Sequence, residues 1–575
     1  MDKRRKISLR ELLFGLVFLA LCGFLFRRLP YGAAMDDEAF YLTVPWQLLQ
    51  GSAPVLHQWN TAQLFGLLLC PLLRLYLLLN PSAEGIFLHF RVLYLLLHAL
   101  VSLLLWLRLR NRDRLGAAAV SLIYLQFVFR GLPCLSYNTM GVGLLLIAGL
   151  TLGLSRGKAW EYLTAGLAFA GAVLCCPYLA VLWPLYGLAA LFLAVRKKAG
   201  VWDGVFALRS WLLFTAGCAV LAALFFLRMA LYGDLRLLPG LLPMLFEEDP
   251  NHLTGALDFL RTFYMDFNTR SRFFKPILLG SALLTAAILL DRGREKRRWL
   301  YLLAAVGLTF LWALPYLLMY RSQNAAIFPL SILGFFAFLL CRKKESRLFA
   351  FLYLPGVVYW VCIDMASDLG FSSIAGASAV NMPLCVLSLV QLLRELWEDR
   401  PGQRPLRRAA AALSGLLACA LTAALVLTSL YATHSTDANG PERWKDDTVI
   451  ACGAARGLIA HDDEAAEYTA EYAALAPLRE IPEGNVLYLA RNSLRFLEDK
   501  KRCVSNNLWF AYSGPERAFS QLETYWALFP DRRPDFVYLT NKLTETGYLE
   551  IFSPLPHTET DVGTGVILTM DWSTS

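Results

Sequence analysis

The chain has 575 residues, 57% of them hydrophobic and 17% charged, with a formal net charge of +9 and a mean hydropathy of +0.48. This apolar content excludes a soluble globular protein. Recurrent apolar runs of roughly 20 residues without alternation exclude a β-barrel, leaving helical spans that satisfy their own backbone polar groups. The positive charge does not point to nucleic acid, because Lys and Arg gather in short loops between spans, where the topology rule accounts for them.

The start "MDKRRK" and the apolar run from Leu12 to Phe26 read as an uncleaved anchor rather than a secretory signal, with Arg27 and Arg28 reaching the far interface. Next comes "YGAAMDDEAFYLTVPWQLLQG" (31 to 51), which sets Asp36, Asp37 and Glu38 at the edge of a hydrocarbon segment. The pattern behind them predicts an amphipathic juxtamembrane helix over 38–50, with Phe40, Tyr41, Val44, Trp46, Leu48 and Leu49 lying on the bilayer surface. A further apolar run, Ala62 to Leu79, carries Pro71 and Arg74 in its middle.

Spans are then predicted over 87–107, 115–129, 138–154, 160–176, 178–195, 211–231, 275–290, 299–320, 323–340, 348–365, 379–397 and 408–430. With the N-terminus in the cytoplasm and Ala62 to Leu79 not crossing, the basic loops at 108–114, 155–158, 196–198, 291–298, 341–347 and 394–408 all fall inside, as positive-inside topology requires. If Ala62 to Leu79 crossed, every one of these loops would move outside. The expected fold is therefore an all-α polytopic membrane domain of about thirteen spans over 1–431. Its first outer loop covers 29–86, and "LSYN" (135 to 138), the loop 232–275, "RSQN" (321 to 324) and 364–378 lie on the same outer face.

From 432 to 575 the sequence becomes charged and mixed, with strand-like runs at 485–490, 536–540 and 565–570 between helical patterns at 464–478 and 515–528. This predicts a small exported α/β domain. "GAARG" (453 to 457) is too loose for a nucleotide fingerprint and reads as a turn. Ten of the twelve cysteines lie in or beside apolar runs, where they act as small hydrophobes. Cys452 and Cys503 fall in the tail, and no Cys/His spacing indicates zinc.

Three adjacent acids at a helix start are ordinarily explained by the positive end of the helix. The chain repeats the triplet in "HDDEAAEYTAEY" (461 to 472), where that account suffices. The setting of the first copy is what distinguishes it. A carboxylate at headgroup level can act as a general base on a hydroxyl, or hold a divalent cation beside a phosphate.

The N-terminal span, the outer loop with "DEAFYLTVPWQLLQG", the following "TAQLFGLLLCPLLRLY" and a next span bearing Arg91 resemble the GT-C class of membrane glycosyltransferases, in its protein O-mannosyltransferase and aminoarabinose-transferase branch. The resemblance implies a polyprenyl-phosphate-sugar donor and an acidic pair in the first outer loop. Asp37 would be the base that takes a proton from an acceptor hydroxyl, and Glu38 would orient it or join Asp37 in holding Mg or Mn, with Asp36 a spare. The Lys-Pro-Pro type segment of the class is replaced by "HQWNTAQ" (57 to 63), so His57, Asn60 and Gln63 are the polar groups on offer near the donor. Where the class can carry a second acidic residue, this chain has Tyr137 and Asn138. Arg321 corresponds to an outer-face arginine suited to a phosphate, with Arg270, Arg272 and Lys275 as second choices, and Asp258 and Asp266 as carboxylates of the long loop.

The implied function is transfer of a sugar from a polyprenyl phosphate to a hydroxyl acceptor on the outer face of the plasma membrane, with the C-terminal part extracytoplasmic. The partners are the lipid-linked sugar, membrane lipid and the acceptor, and no cofactor is required beyond the optional cation. A transporter or flippase for lipid-linked glycans is the alternative from another class. It would be expected to line a path with mid-span ionisable groups, and here His89, Arg91, His98 and Arg228 are the main ones. A glycan polymerase or ligase would share the donor chemistry.

Overall fold

The computed structural model describes residues 9–33, 37–129, 132–246, 264–265, 275–319, 324–366, 373–398, 404–431, 447–481, 484–490, 492–508 and 515–574. Helices occupy every predicted span. They are α1 (Leu9–Arg28), α4 (Ile86–Leu109), α5 (Arg114–Gln126), α6 (Tyr137–Gly153), α7 (Ala159–Cys175), α8 (Leu182–Val195), α9 (Leu208–Tyr232), α10 (Lys275–Leu290), α11 (Arg294–Met319), α12 (Asn324–Leu340), α13 (Leu354–Ala366), α14 (Ile374–Glu398) and α15 (Arg404–Tyr431). The segment between α1 and α4 folds as α2 (Asp37–Leu49) and α3 (Gly66–Leu79). Among the described residues, eight helices are long and apolar enough to cross a membrane, and five shorter apolar helices accompany them. The chain is a multi-pass membrane protein.

The bundle is held by close backbone approach. A Cβ added to Gly166 of α7 would lie 1.9 Å from the Phe214 carbonyl oxygen of α9, and one added to Gly217 of α9 would lie 2.2 Å from the Leu163 oxygen of α7. The two helices thus press reciprocal glycines against each other, the packing that lipid favours because apolar side chains gain nothing by leaving it. Helix α14 is the central member and is buried along most of its length, whereas α1 turns Leu12, Leu16 and Leu19 outward toward hydrocarbon.

Beyond α15, a short antiparallel pair joins β1 (Thr448–Val449) to β2 (Ile459–Ala460). A four-stranded sheet follows in the order β3 (Val486–Leu489), β4 (Phe536–Thr540), β6 (Gly565–Met570) and β5 (His557–Asp561), with β3 and β4 parallel and the other pairs antiparallel. Helices α16 (Asp462–Ala474) and α17 (Pro515–Leu528) flank it. Strand β5 was not predicted. Its sequence, His-Thr-Glu-Thr-Asp, is polar throughout and mostly exposed, as suits a sheet edge and hides the strand from a hydrophobic pattern.

The C-terminal part grips the first loop. The Gly32 amide donates to the Ile459 carbonyl and the Ile459 amide to Pro30, each at 2.8 Å, while Gly85 and Phe87 at the start of α4 donate to Gly453 and Ala454. Residues of both parts share one apolar core, including Phe40, Phe87, Leu458 and Tyr488.

Replacing Gly166 by valine places a branched side chain against the backbone of α9. Gly166→Val is expected to destabilise the bundle by at least the ~1–3 kcal/mol typical of overpacking, read as a lowered melting temperature of purified protein in detergent.

Candidate functional site

Helix α2 begins with Asp37 and Glu38 in its first turn, where the helix dipole favours carboxylates. The helix does not lie on the bilayer surface. Residues 38–48 are all buried, polar Thr43 and Gln47 included. A helix that is hydrophobic nearly all round is one covered on every side, and α2 is enclosed between the spans and the C-terminal part.

Glu38 is committed. Arg91 of α4 reaches it with Nε at 2.8 Å and Nη2 at 2.7 Å, and the same guanidinium donates to the carbonyls of Leu29 (2.6 Å), Gly32 (2.9 Å) and Tyr31 (3.5 Å). The pair is fully enclosed, at 0% and 2% side-chain exposure. All five guanidinium donors find acceptors in the fork geometry that distinguishes arginine from lysine. Both Glu38 oxygens accept from Arg91. Among the described residues, no three His, Cys, Asp or Glu side chains gather where they could hold a metal ion.

Asp37 is only partly buried. The charges of Glu38, Arg91 and Asp37 all reach the Cys134 thiol, whose ionisation burial pushes far up. The loop before α6 therefore lies against the acidic motif. Tyr137 continues that contact, with its ring edge-on to Tyr41 at 5.6 Å and near Phe65 at 5.8 Å. Asn138, on the first turn of α6, is buried, and its Oδ1 has no partner among the described residues. The structure thus brings Tyr137 and Asn138 to the same end of the bundle as Asp37.

The other sequence candidates lie elsewhere. Asn60 Oδ1 accepts the Ala62 amide at 2.8 Å and starts a short 3-10 turn, and the Gln63 amide donates to the carbonyls of Gln58 and Asn60, so both shape the loop. His57 is buried against the C-terminal part, where its Nδ1 receives the Ala53 amide at 2.8 Å and Arg532 Nη2 at 3.1 Å. Arg532 also donates to Ser52 Oγ, the Cys503 carbonyl and the Tyr525 hydroxyl. Burial, and then the Arg532 and Arg502 charges, lower the His57 pKa to about 3. Asp36, Asp258, Asp266, Arg270, Arg272 and Arg321 lie outside the described residues, and Lys275 stands exposed at the start of α10.

An apolar groove of about 360 Å³ opens between α3, α4, α5 and α6, walled by Leu72, Tyr94, Leu100, Leu135, Met140 and Leu144 among others. Tyr94 lies one helical turn from Arg91 and Leu135 adjoins Cys134, so the groove comes within about a helical turn of Arg91, the partner of Glu38. Exposed Leu97 and Leu100 open the groove sideways, as hydrocarbon requires. His98 is stacked between Tyr94 and Tyr124 and bonded to the Tyr124 carbonyl at 2.8 Å, so it serves as wall rather than path.

Sequence reasoning gave no role to Arg228, which donates to the Leu48 carbonyl at the end of α2 and stacks on Tyr232 at 3.5 Å. Nor did it anticipate the seam in which Trp46 Nε1 donates to the Lys501 carbonyl at 2.9 Å. The available signal was the predominantly apolar character of 39–48, broken only by Thr43 and Gln47.

No protein-family model matches this chain, and no curated protein matches it. Among solved structures it is similar to ArnT from Cupriavidus metallidurans bound to undecaprenyl phosphate, at 13% identity over 98% of both chains with a TM-score of 0.48. It is similar to the apo state of the same ArnT at 12% identity over 97% of both chains, TM-score 0.45. A third similar structure is the oligosaccharyltransferase AglB from Archaeoglobus fulgidus in complex with an inhibitory peptide and a dolichol-phosphate, at 12% identity over 98% of this chain and 75% of that one, TM-score 0.38. Identities this low carry no residue's role across.

Arg91→Met strands Glu38 inside the protein and is expected to cost about 3–5 kcal/mol, the usual penalty for breaking a buried pair, measured by thermal unfolding in detergent. The second expectation concerns His57. Its folded pKa, about 3, lies below its ordinary 6.5, so the unfolded chain binds more protons between these values and stability falls as pH drops from about 6.5 toward 3. His57→Gln keeps a neutral acceptor for Arg532 without titrating there, and its melting temperature should depend less steeply on pH in that window.

Proposed function

We propose that this protein is a membrane glycosyltransferase that moves a sugar from a polyprenyl-phosphate carrier to a hydroxyl acceptor, with Asp37 as the general base. The observation that carries this reading is an apolar groove that comes within a helical turn of Arg91, the residue paired with Glu38 at the acidic start of α2. A polyprenyl tail fits a groove walled by leucine and open to hydrocarbon. Its headgroup would then stand at the level of Asp37, while Glu38 stays locked on Arg91 and fixes the helix that carries it.

In the proposed step, Asp37 accepts the proton of the acceptor hydroxyl as that oxygen attacks the anomeric carbon. The bond from this carbon to the phosphate oxygen breaks, and the carrier leaves as polyprenyl phosphate. Partial burial suits such a base, since it limits competing water while leaving the carboxylate reachable. Tyr137 and Asn138 supply hydrogen-bonding groups beside it, and Asn138 Oδ1, buried and without a partner among the described residues, is an acceptor for a sugar hydroxyl.

The same geometry weighs against a transporter. Three of the four mid-span groups that would line a path are spent on structure: Arg91 on Glu38, His98 on a backbone carbonyl, and Arg228 on the end of α2; the fourth, His89, is exposed beside Tyr76. We place the acidic motif and the C-terminal part outside the cytoplasm on the charge bias of the loops.

Asp37→Asn should lower sugar transfer by at least 100-fold, within the range general base catalysis supplies, while the variant keeps its melting temperature. Retained turnover there removes the base assignment. Asp463→Asn serves as the control: its side chain is 96% exposed, and turnover should not change. A cysteine placed at Ser82 should react with an impermeant thiol reagent added outside intact cells, and labelling from the cytoplasm alone would reverse the orientation.

A further inference from the structure

Two arginines stand beside hydrocarbon with no carboxylate to balance them. Arg228, half-buried one helical turn before the end of α9, donates through Nη2 to the Leu48 carbonyl and carries the Tyr232 ring 3.5 Å from Cζ. Arg74 is exposed on α3. Among the described residues neither guanidinium forms an ion pair, whereas Arg236, just beyond α9, pairs with Asp234 at 3.0 Å.

The two share one corner of the bundle. The Cys70 thiol of α3 donates to the Pro45 carbonyl of α2 at 3.6 Å, and Arg228 bonds the Leu48 carbonyl about one turn further along that helix. The Arg228 charge reaches Cys70. Arg74 follows Cys70 by four residues on α3, about 6 Å along the axis and on the same face. Exposed Leu227 and Leu231 of α9 and exposed Leu75 and Leu78 of α3 border the pair.

An unbalanced charge beside hydrocarbon is costly, and the ordinary reason for keeping one is a bound partner. The level of the site identifies that partner. A tyrosine at the end of a span marks the headgroup zone, where the available anion is a lipid phosphate, and the planar fork of a guanidinium suits phosphate oxygens. A carrier lying in the apolar groove does not meet this need. Leu68, Leu69 and Leu72 of α3 line that groove, while Cys70 and Arg74 stand about half a turn round the same helix. Helix α3 therefore lies between the groove and the two arginines.

We propose that Arg74 and Arg228 bind the phosphate of an anionic phospholipid, on the face of α3 opposite the apolar groove. The acyl chains lie along the exposed leucines of α3 and α9, and the phosphate accepts from both guanidiniums while Arg228 keeps its bond to Leu48. The helix that carries Asp37 is thereby tied at its far end to the charge of the bilayer.

The test is native mass spectrometry of the full chain released from detergent micelles, with dioleoyl phosphatidylglycerol as the probe and dioleoyl phosphatidylcholine for comparison. Phosphatidylglycerol should bind more tightly than phosphatidylcholine, and Arg228→Gln and Arg74→Gln should each weaken it about tenfold, the scale of one charge-assisted bond. Arg236→Gln removes the same charge from a paired position and should leave binding unchanged. Should Arg228→Gln fail to fold, the exposed Arg74→Gln decides. With a short-chain polyprenyl phosphate added, complexes holding both lipids at once are expected, and mutual exclusion would overturn the separate site. Inorganic phosphate in large excess should not strip the lipid, and stripping would overturn a lipid as the occupant. The proposal also fails if phosphatidylcholine binds as tightly or if the folded glutamine variants bind as the parent does. Asp37→Asn should bind phosphatidylglycerol like the parent, so failure of the base assignment would leave this result standing.

Discussion

The acidic end of this molecule hangs on one ion pair. Arg91 and Glu38 are both enclosed, and a charge placed there without its partner would carry an uncompensated desolvation cost of several kcal/mol. The guanidinium does more than neutralise Glu38, because its remaining donors hold the carbonyls of Leu29, Tyr31 and Gly32. The chain leaving α1, the first turn of α2 and the second span are thereby fixed to a single group. That same stretch of carbonyls and amides pairs with Ile459, so the C-terminal part is registered against it too.

At the other end of α2, Arg228 binds the Leu48 carbonyl, where the helix dipole welcomes a cation. Two arginines from different spans therefore clamp the two ends of one short helix. Along its length the clamp is completed by Trp46 on Lys501 and, just beyond, by Arg532 on His57 and Ser52. A side chain on such a helix is held by rigid neighbours rather than by a loop. Intramembrane charges that would suggest a transport path are instead the fasteners of this end of the bundle.

The two acidic triplets show how little three letters decide. Asp37 and Glu38 occupy the first turn of α2, as Asp462, Asp463 and Glu464 occupy that of α16, where the dipole favours them. The second triplet leaves Asp463 exposed to solvent, and the first draws Glu38 into a buried ion pair beside an apolar groove. Carboxylates in the first turn of a helix thus have different chemistry, because burial and partners set what a carboxylate can do.

Much of the architecture was legible in the chain. Span positions followed from long apolar runs, since a helix in lipid must be apolar over about 20 residues whatever it packs against. Strands β4 and β6 followed from alternating and β-branched residues, and β5 escaped because an exposed edge needs no apolar side chains. The acidic motif, Tyr137 and Asn138 were readable as polar groups at span ends. What sequence could not supply was what covers α2. Its apolar residues suit a bilayer surface and a protein interior equally, because hydrocarbon and a packed core offer nearly the same solvent. Only the tertiary structure, by seating residues 492–506 against that helix and Arg532 against His57, both hundreds of positions away, decided that α2 is interior and that His57 and Glu38 are fasteners.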